Sequence, residues 1–224
     1  VKSDLFLSPK FIGKVANQDL HSLGQVDMLI IAHSDFINAA TRLADAHAEY
    51  EGLSSHIVTP EVIYNEFSSG TPDATAYRRF AKMFYDRAKT VGNAPKYLWM
   101  EDKIERAVKL LEKENNNIPI MYYSNYDFYD ENMNFKANAK DNVYRLLTYQ
   151  SKESYDETKS YTADDYFGFL DDTDGAYILV NSLDISVGRI PVYTIEQADG
   201  VVSKLINYIK NEDFGSWKNQ AVFL

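Results

Sequence analysis

The chain has 224 residues, 45% of them hydrophobic and 14% aromatic, enough for one large domain or two small ones with a real core. Its 33 acidic against 23 basic side chains leave a net charge of -10, which repels phosphate backbones and anionic bilayers, so nucleic acid is not an expected partner. Cysteine is absent, which excludes disulfides, cysteine-ligated zinc and a thiol nucleophile within these residues but leaves the redox compartment open.

No apolar run approaches the roughly 20 residues that span a bilayer. Val1-Lys2-Ser3-Asp4 does not begin a signal peptide, so any address sequence is expected outside this stretch. Residues 1–25 read as a polar lead-in and residues 26–224 as one α/β subdomain.

Val26 to Ala32 is nearly unbroken apolar sequence, the pattern of a strand covered on both faces and central in a sheet. Ser34 is placed to cap a helix carrying Ile37, Ala40, Leu43, Ala44 and His47 at helical spacing, with Gly52 as its stop. Ser54 to Val58 is the next strand. Thr59-Pro60 then pairs a cap with a proline suited to the first helical position, opening a helix from Glu61 to Phe67. After a loop from Ser68 to Pro72, Asp73 caps a helix to about Lys89. Strand, helix, strand, helix in this order predicts right-handed crossovers and a parallel sheet with helices on its faces.

Tyr97 to Met100 fits a strand, yet Tyr97, Met100, Ile104, Ala107, Val108 and Leu111 also continue a helical stripe from Pro95 to Asn115, and periodicity does not decide. Ile118 to Tyr123 reads as a strand, and the Asp-, Asn- and Tyr-rich stretch from Ser124 to Ser160 as a long functional or inserted loop. Tyr166 to Leu170 and Tyr177 to Val180 suggest a hairpin around Asp171-Asp172-Thr173-Asp174-Gly175, and Leu183 to Val187 a further strand. Thr194-Ile195-Glu196-Gln197 forms a capping box for a helix to about Asn211, whose Ala198, Val201, Val202, Leu205, Ile206 and Ile209 make a wide apolar stripe. The closing Trp217 to Leu224 reads as a buried strand cut off at its end.

Neither GxGxxG nor GxxxxGK[ST] occurs, so no phosphate-cradling loop is expected. His21, His33, His47 and His56 lie singly, with no HExxH. His33 follows the first strand, where ligands collect in open parallel sheets, and reads either as functional or as a satisfied or exposed histidine. No GxSxG frames a serine nucleophile. Asp171, Asp172 and Asp174, with Asp164, Asp165 and Asp184 nearby, repel one another unless solvated or neutralised by a cation. Their hard oxygens suit calcium, though the spacing fails the EF-hand pattern. Tyr122, Tyr123, Tyr126 and Tyr129 fit either a peptide or glycan platform or ordinary packing.

Several strings, in order along nearly the whole chain, resemble the gingipain-type cysteine peptidases, most closely the PorU-type sortases of bacterial type IX secretion. They are Phe11 to Val15 with Asn17 to His21, Asp27 to Ile31, Tyr64 to Ala76, Ala94 to Leu98, Asp164 to Asp172 and Leu183 to Pro191. The resemblance implies a caspase-like, three-layer α/β/α fold with a mainly parallel sheet, and a strand at Tyr97. It implies the non-catalytic front half of a surface peptidase that removes C-terminal sorting signals and attaches cargo to lipopolysaccharide, on the extracellular side of the outer membrane. The catalytic histidine and cysteine would come from a second half beyond Leu224, so no residue here is assigned to catalysis. Implied partners are that second half, secreted protein substrates and outer-membrane secretion components. Calcium is the implied cofactor, at Asp102, Asp172 and Asp184. A competing expectation is a non-catalytic surface module of the same fold, gripping protein or glycan through the Tyr/Asp-rich loop.

Overall fold

A computed structural model of the chain describes residues 11, 13–103, 146–149, 163–175, 181–192, 194–211 and 215. Its regular elements are β1 (Met28–Ala32), α1 (Ile37–Glu51), β2 (Ser55–Val58), α2 (Pro60–Phe67), α3 (Ala74–Arg87), β3 (Tyr97–Lys103), β4 (Ser186–Val192) and α4 (Ile195–Lys210). Single 3-10 turns form at Leu20–Ser22, Ser34–Phe36, Val91–Asn93 and Asp164–Gly168.

The four strands make one parallel sheet in the order β2-β1-β3-β4. All five residues of β1 are buried, as its apolar run requires of a central strand. Side chains alternate between two helical layers. Leu29, Ile31, Leu98 and Met100 face α2 and α3, meeting Ile63, Tyr77, Phe80 and Phe84. On the opposite side Met28, Ile30 and Ala32 meet Ala40 and Ala44 of α1, while Ile190 and Val192 meet Ala198 and Val202 of α4. The result is three layers, helix on sheet on helix. Each fully buried Leu, Ile or Phe contributes about 1.5–3 kcal/mol from leaving water.

Caps set several of the boundaries. Gly52 adopts φ 69, a left-handed conformation that favours glycine, and its N–H reaches the Ala48 carbonyl to close α1. Asp73 accepts from Thr75 N to start α3, and Thr194 accepts from Gln197 N to start α4. Ser34 does not cap α1 as the sequence predicts. It lies inside a 3-10 turn whose cap is His33, with the ring accepting from Asp35 N. Thr59 precedes α2 without a side-chain capping bond, and Pro60 opens the helix.

Tyr166 to Leu170 is not a strand. Asp164–Gly168 is a 3-10 turn, and Tyr166, Phe167, Gly168, Phe169 and Leu170 are buried consecutively, where a half-covered strand would alternate. The expected strand Leu183 to Val187 begins three residues later and runs to Val192. Asp184 leaves that strand because its carboxylate binds the backbone of the neighbouring loop. Tyr97 opens β3, which settles the strand-or-helix alternative there. Of the Ser124–Ser160 stretch, Leu146 to Tyr149 are described, and Leu146 joins the core at 2% exposure. The strands expected at Ile118 to Tyr123, Tyr177 to Val180 and Trp217 to Leu224 lie outside the described residues.

Candidate functional site

The acidic loop from Phe169 to Asp174 is mounted on one stripe of α3. Arg78, Lys82 and Tyr85 stand four and then three residues apart, so they share a helical face. The Arg78 guanidinium donates to the carbonyls of Phe169 at 2.6 Å and of Asp171 and Asp174 at 3.3 Å each, and lies 5.7 Å over the Tyr166 ring. Lys82 donates to the Leu170 carbonyl at 2.7 Å and pairs with Asp86 and Asp172 at 2.8 and 2.9 Å. Burial opposes the Lys82 charge, but the bonds to Asp86 and Asp172 outweigh it and raise its pKa; the same bond from Lys82 lowers that of Asp172. Lys82 therefore offsets the charge of Asp172, while Arg78 fixes the loop through its backbone carbonyls.

Tyr85 completes the stripe by donating towards Asp171 Oδ1 at 3.0 Å and Asp184 Oδ1 at 3.2 Å. The bond to Asp171, burial and the Asp184 charge push the phenol up to about 12. The other Asp184 oxygen accepts from Leu170 N at 2.6 Å and Asp171 N at 3.2 Å.

The metal expectation named Asp102, Asp172 and Asp184. Asp184 gathers instead with Asp171 and Asp174, their ligand oxygens all within 4.8 Å of one another. Asp172 is turned outward at 93% side-chain exposure towards Lys82. Asp102 pairs with Pro191, five positions along β4 from Ser186, so it stands roughly 17 Å, at about 3.3 Å per residue, from the end of the strand that Asp184 precedes, too far to share an ion. Asp171, Asp174 and Asp184 offer hard oxygens of the kind calcium takes, but Tyr85 already donates to one oxygen each of Asp171 and Asp184, while Arg78 holds the backbone carbonyls of Asp171 and Asp174. Beside the loop runs an open groove of about 890 Å³ whose walls include Tyr85, Lys89, Lys96, Tyr97, Leu183 and Asp184.

The loop and groove lie at the amino ends of β3 and β4. At the carboxyl ends of β1 and β3 stands a second constellation, where the chain, having placed β2 on one side of β1, crosses to place β3 on the other. Ligands collect at such a switch point in open parallel sheets. His33 N–H donates to the Glu101 carbonyl at 3.3 Å, and the two residues are 5% and 1% exposed. His33 Nδ1 accepts from Asp35 N at 3.2 Å, which assigns the ring proton to Nε2, and the ring packs on Phe36. His33 is thus a buried capping histidine. Among the described residues Glu101 has no hydrogen-bond partner for either carboxyl oxygen. Burial, reinforced by the Asp199 charge, pushes its carboxyl up to about 7. Sequence reading passed over Glu101 as a candidate, although an acid four residues into an apolar strand was the available signal.

Nothing among the described residues forms a nucleophile, base and orienting group in sequence, as acyl transfer needs. What the arrangement provides is a rigid sheet, a clamped acidic loop and a groove.

The family model for Peptidase family C25 matches residues 21–224. The crystal structure of dimeric latent PorU from Porphyromonas gingivalis is similar over 99% of this chain at 32% identity and a TM-score of 0.70. The chain spans 19% of that protein's length. No curated protein matches at a significant level.

Proposed function

Because the chain belongs to peptidase family C25, we propose that it is the non-catalytic, substrate-framing part of a surface cysteine peptidase that cleaves C-terminal sorting signals in type IX secretion. The observation that carries this reading is a family match over residues 21–224 in a chain with no cysteine. A cysteine peptidase attacks through a thiolate, so the nucleophile of such an enzyme would be supplied by polypeptide outside these residues. The proposed partners are therefore the catalytic part of its own peptidase domain, secreted substrate proteins and outer-membrane secretion components. The proposed location is the outer surface of the outer membrane. No helix among the described residues is long and apolar enough to cross a membrane.

Partial burial of α4 supports a covering partner. Of its apolar stripe, Ala198 and Val202 are buried, while Val201, Leu205, Ile206 and Ile209 are half-covered. The stripe packs on Phe36, Ala39 and Leu43 as well as on Ile190 and Val192 of β4, and its half-covered positions leave apolar surface for a partner.

Calcium is proposed at the acidic loop, with Asp184, Asp171 and Asp174 as its carboxylates and a structural role in fixing the loop to the start of β4. The test of the main reading is an amide-hydrolysis and transpeptidation assay on peptides bearing C-terminal sorting signals. The purified chain is expected to be inert, and a longer polypeptide that adds a cysteine and a histidine is expected to be active. Turnover by the 224-residue chain alone would defeat the proposal.

A further inference from the structure

A second group of metal-ligating side chains joins the lead-in segment to Glu66 of α2. Asp19, His21 and Glu66 bring one ligand atom each within 4.8 Å of one another. Among the described residues it is the one such group that includes a nitrogen donor. His21 Nδ1 stands 2.7 Å from Glu66 Oε2.

Each member is held by contacts beyond the group. Glu66 accepts from Leu20 N at 2.8 and 3.0 Å through its two oxygens and from Gln18 Nε2 at 2.9 Å, which aims the carboxylate at the lead-in segment. The His21 ring stacks on Phe67 with centroids 4.9 Å apart and planes 16° from parallel. Asp19 Oδ1 caps Ser22 N at 3.0 Å and thereby fixes the turn that carries His21. His21 is 53% exposed and Glu66 15%, so an ion can reach the group while one wall stays dry.

We propose that Asp19, His21 and Glu66 form a binding site for a borderline divalent cation, zinc being the best fit, that clamps the lead-in segment to α2. One imidazole and two carboxylates make a three-ligand set that leaves a position for water. The nitrogen selects zinc-like ions over calcium, which takes oxygens alone. The ion takes the place of the direct contact between His21 Nδ1 and Glu66 Oε2. Ligand atoms around a tetrahedral zinc lie roughly 3.3 Å apart, so the 2.7 Å contact opens by about half an ångström. His47 and Glu51 supply an internal comparison: they pair at 2.6 Å on α1, but no third ligand joins them among the described residues.

The experiment is thermal melting of the 224-residue chain with zinc up to about 1 mM and with chelator. The same series is run on His21→Gln, which can keep a hydrogen bond to Glu66, and on Asp19→Asn and His47→Ala. The expected result is a rise in Tm with zinc, reversed by chelator, retained in His47→Ala, and weakened about tenfold or more in zinc affinity by both His21→Gln and Asp19→Asn. Cobalt as a spectroscopic substitute should develop visible absorption in the wild type and lose it in His21→Gln. No zinc effect, an effect unchanged in His21→Gln, or one indifferent to Asp19→Asn would each overturn the three-ligand site.

Discussion

Arg189 grips Asp164 with two parallel bonds of 2.7 Å, from Nε to Oδ2 and from Nη2 to Oδ1. This fork ties Arg189, the fourth residue of β4, to the first residue of the 3-10 turn that starts the acidic-loop segment. The same guanidinium reaches the Leu147 carbonyl at 3.3 Å, so one side chain joins β4 to two separate segments. Its side chain is only 11% exposed, where a planar bidentate fork outperforms an ammonium. Arg189→Ala is expected to cost about 3 kcal/mol in urea unfolding, since it strands a half-buried carboxylate. Arg189→Lys should recover less than half of that loss. Recovery to wild-type stability by lysine would show that charge, not the fork, matters.

Glu101 makes stability depend on pH. Its carboxyl sits at about 7 in the fold against 4.5 unfolded, so folding favours the protonated form. The contribution is fully present below pH 4.5 and is lost as pH rises towards 7, a swing of roughly 3 kcal/mol at about 1.36 kcal/mol per unit. Glu101→Gln is expected to flatten that slope and to be the more stable protein at pH 8. Denaturant titrations from pH 4 to 8 on both proteins check this; parallel slopes would remove Glu101 as the cause.

Asp27 acts with the opposite sign at the base of the sheet. The bond from Lys96 at 2.8 Å, together with Ser54 N and Oγ at 3.0 and 2.7 Å, lowers its pKa to about 2 from 3.8. The stabilisation is present above pH 3.8 and fades as pH falls through 2. Asp27→Asn should be less stable at neutral pH and lose little more between pH 4 and 2. An acid-unfolding curve identical to wild type would contradict this.

Gly168 admits no side chain. A Cβ there would meet the Ile185 carbonyl, Leu183 Cδ2 and Val187 Cγ2 at 2.8 Å each, and the carbonyl belongs to backbone that cannot swing aside. Gly168→Ala is expected to cost about 2 kcal/mol by overpacking. An alanine variant melting within a degree of wild type would mean that the turn shifts freely.

Tyr85→Phe removes the hydroxyl between Asp171 and Asp184. In chelator the variant should lose about 1 kcal/mol, because two carboxylates lose a donor. In millimolar calcium it should regain more than wild type does, since the ion meets less competition for the same oxygens. Wild type and variant both indifferent to calcium would remove the loop as a calcium site.

The local signals in the chain determined most of the elements. Unbroken apolar sequence marked β1 as central, Gly52 and Asp73 marked a helix end and a helix start, and the Thr194 box marked α4, because caps and periodicity act through neighbours in sequence. Tertiary structure alone decided that Tyr166 to Leu170 turns rather than extends, since Arg189 and the start of β4 impose that shape from about 20 positions away. It likewise decided that Asp184 joins Asp171 and Asp174 while Asp102 lies at the other end of the sheet, and that Glu101 is buried without a hydrogen-bond partner among the described residues. Carboxylates look alike in sequence; their distance, solvent and counter-charge come from elements that meet only when the sheet assembles.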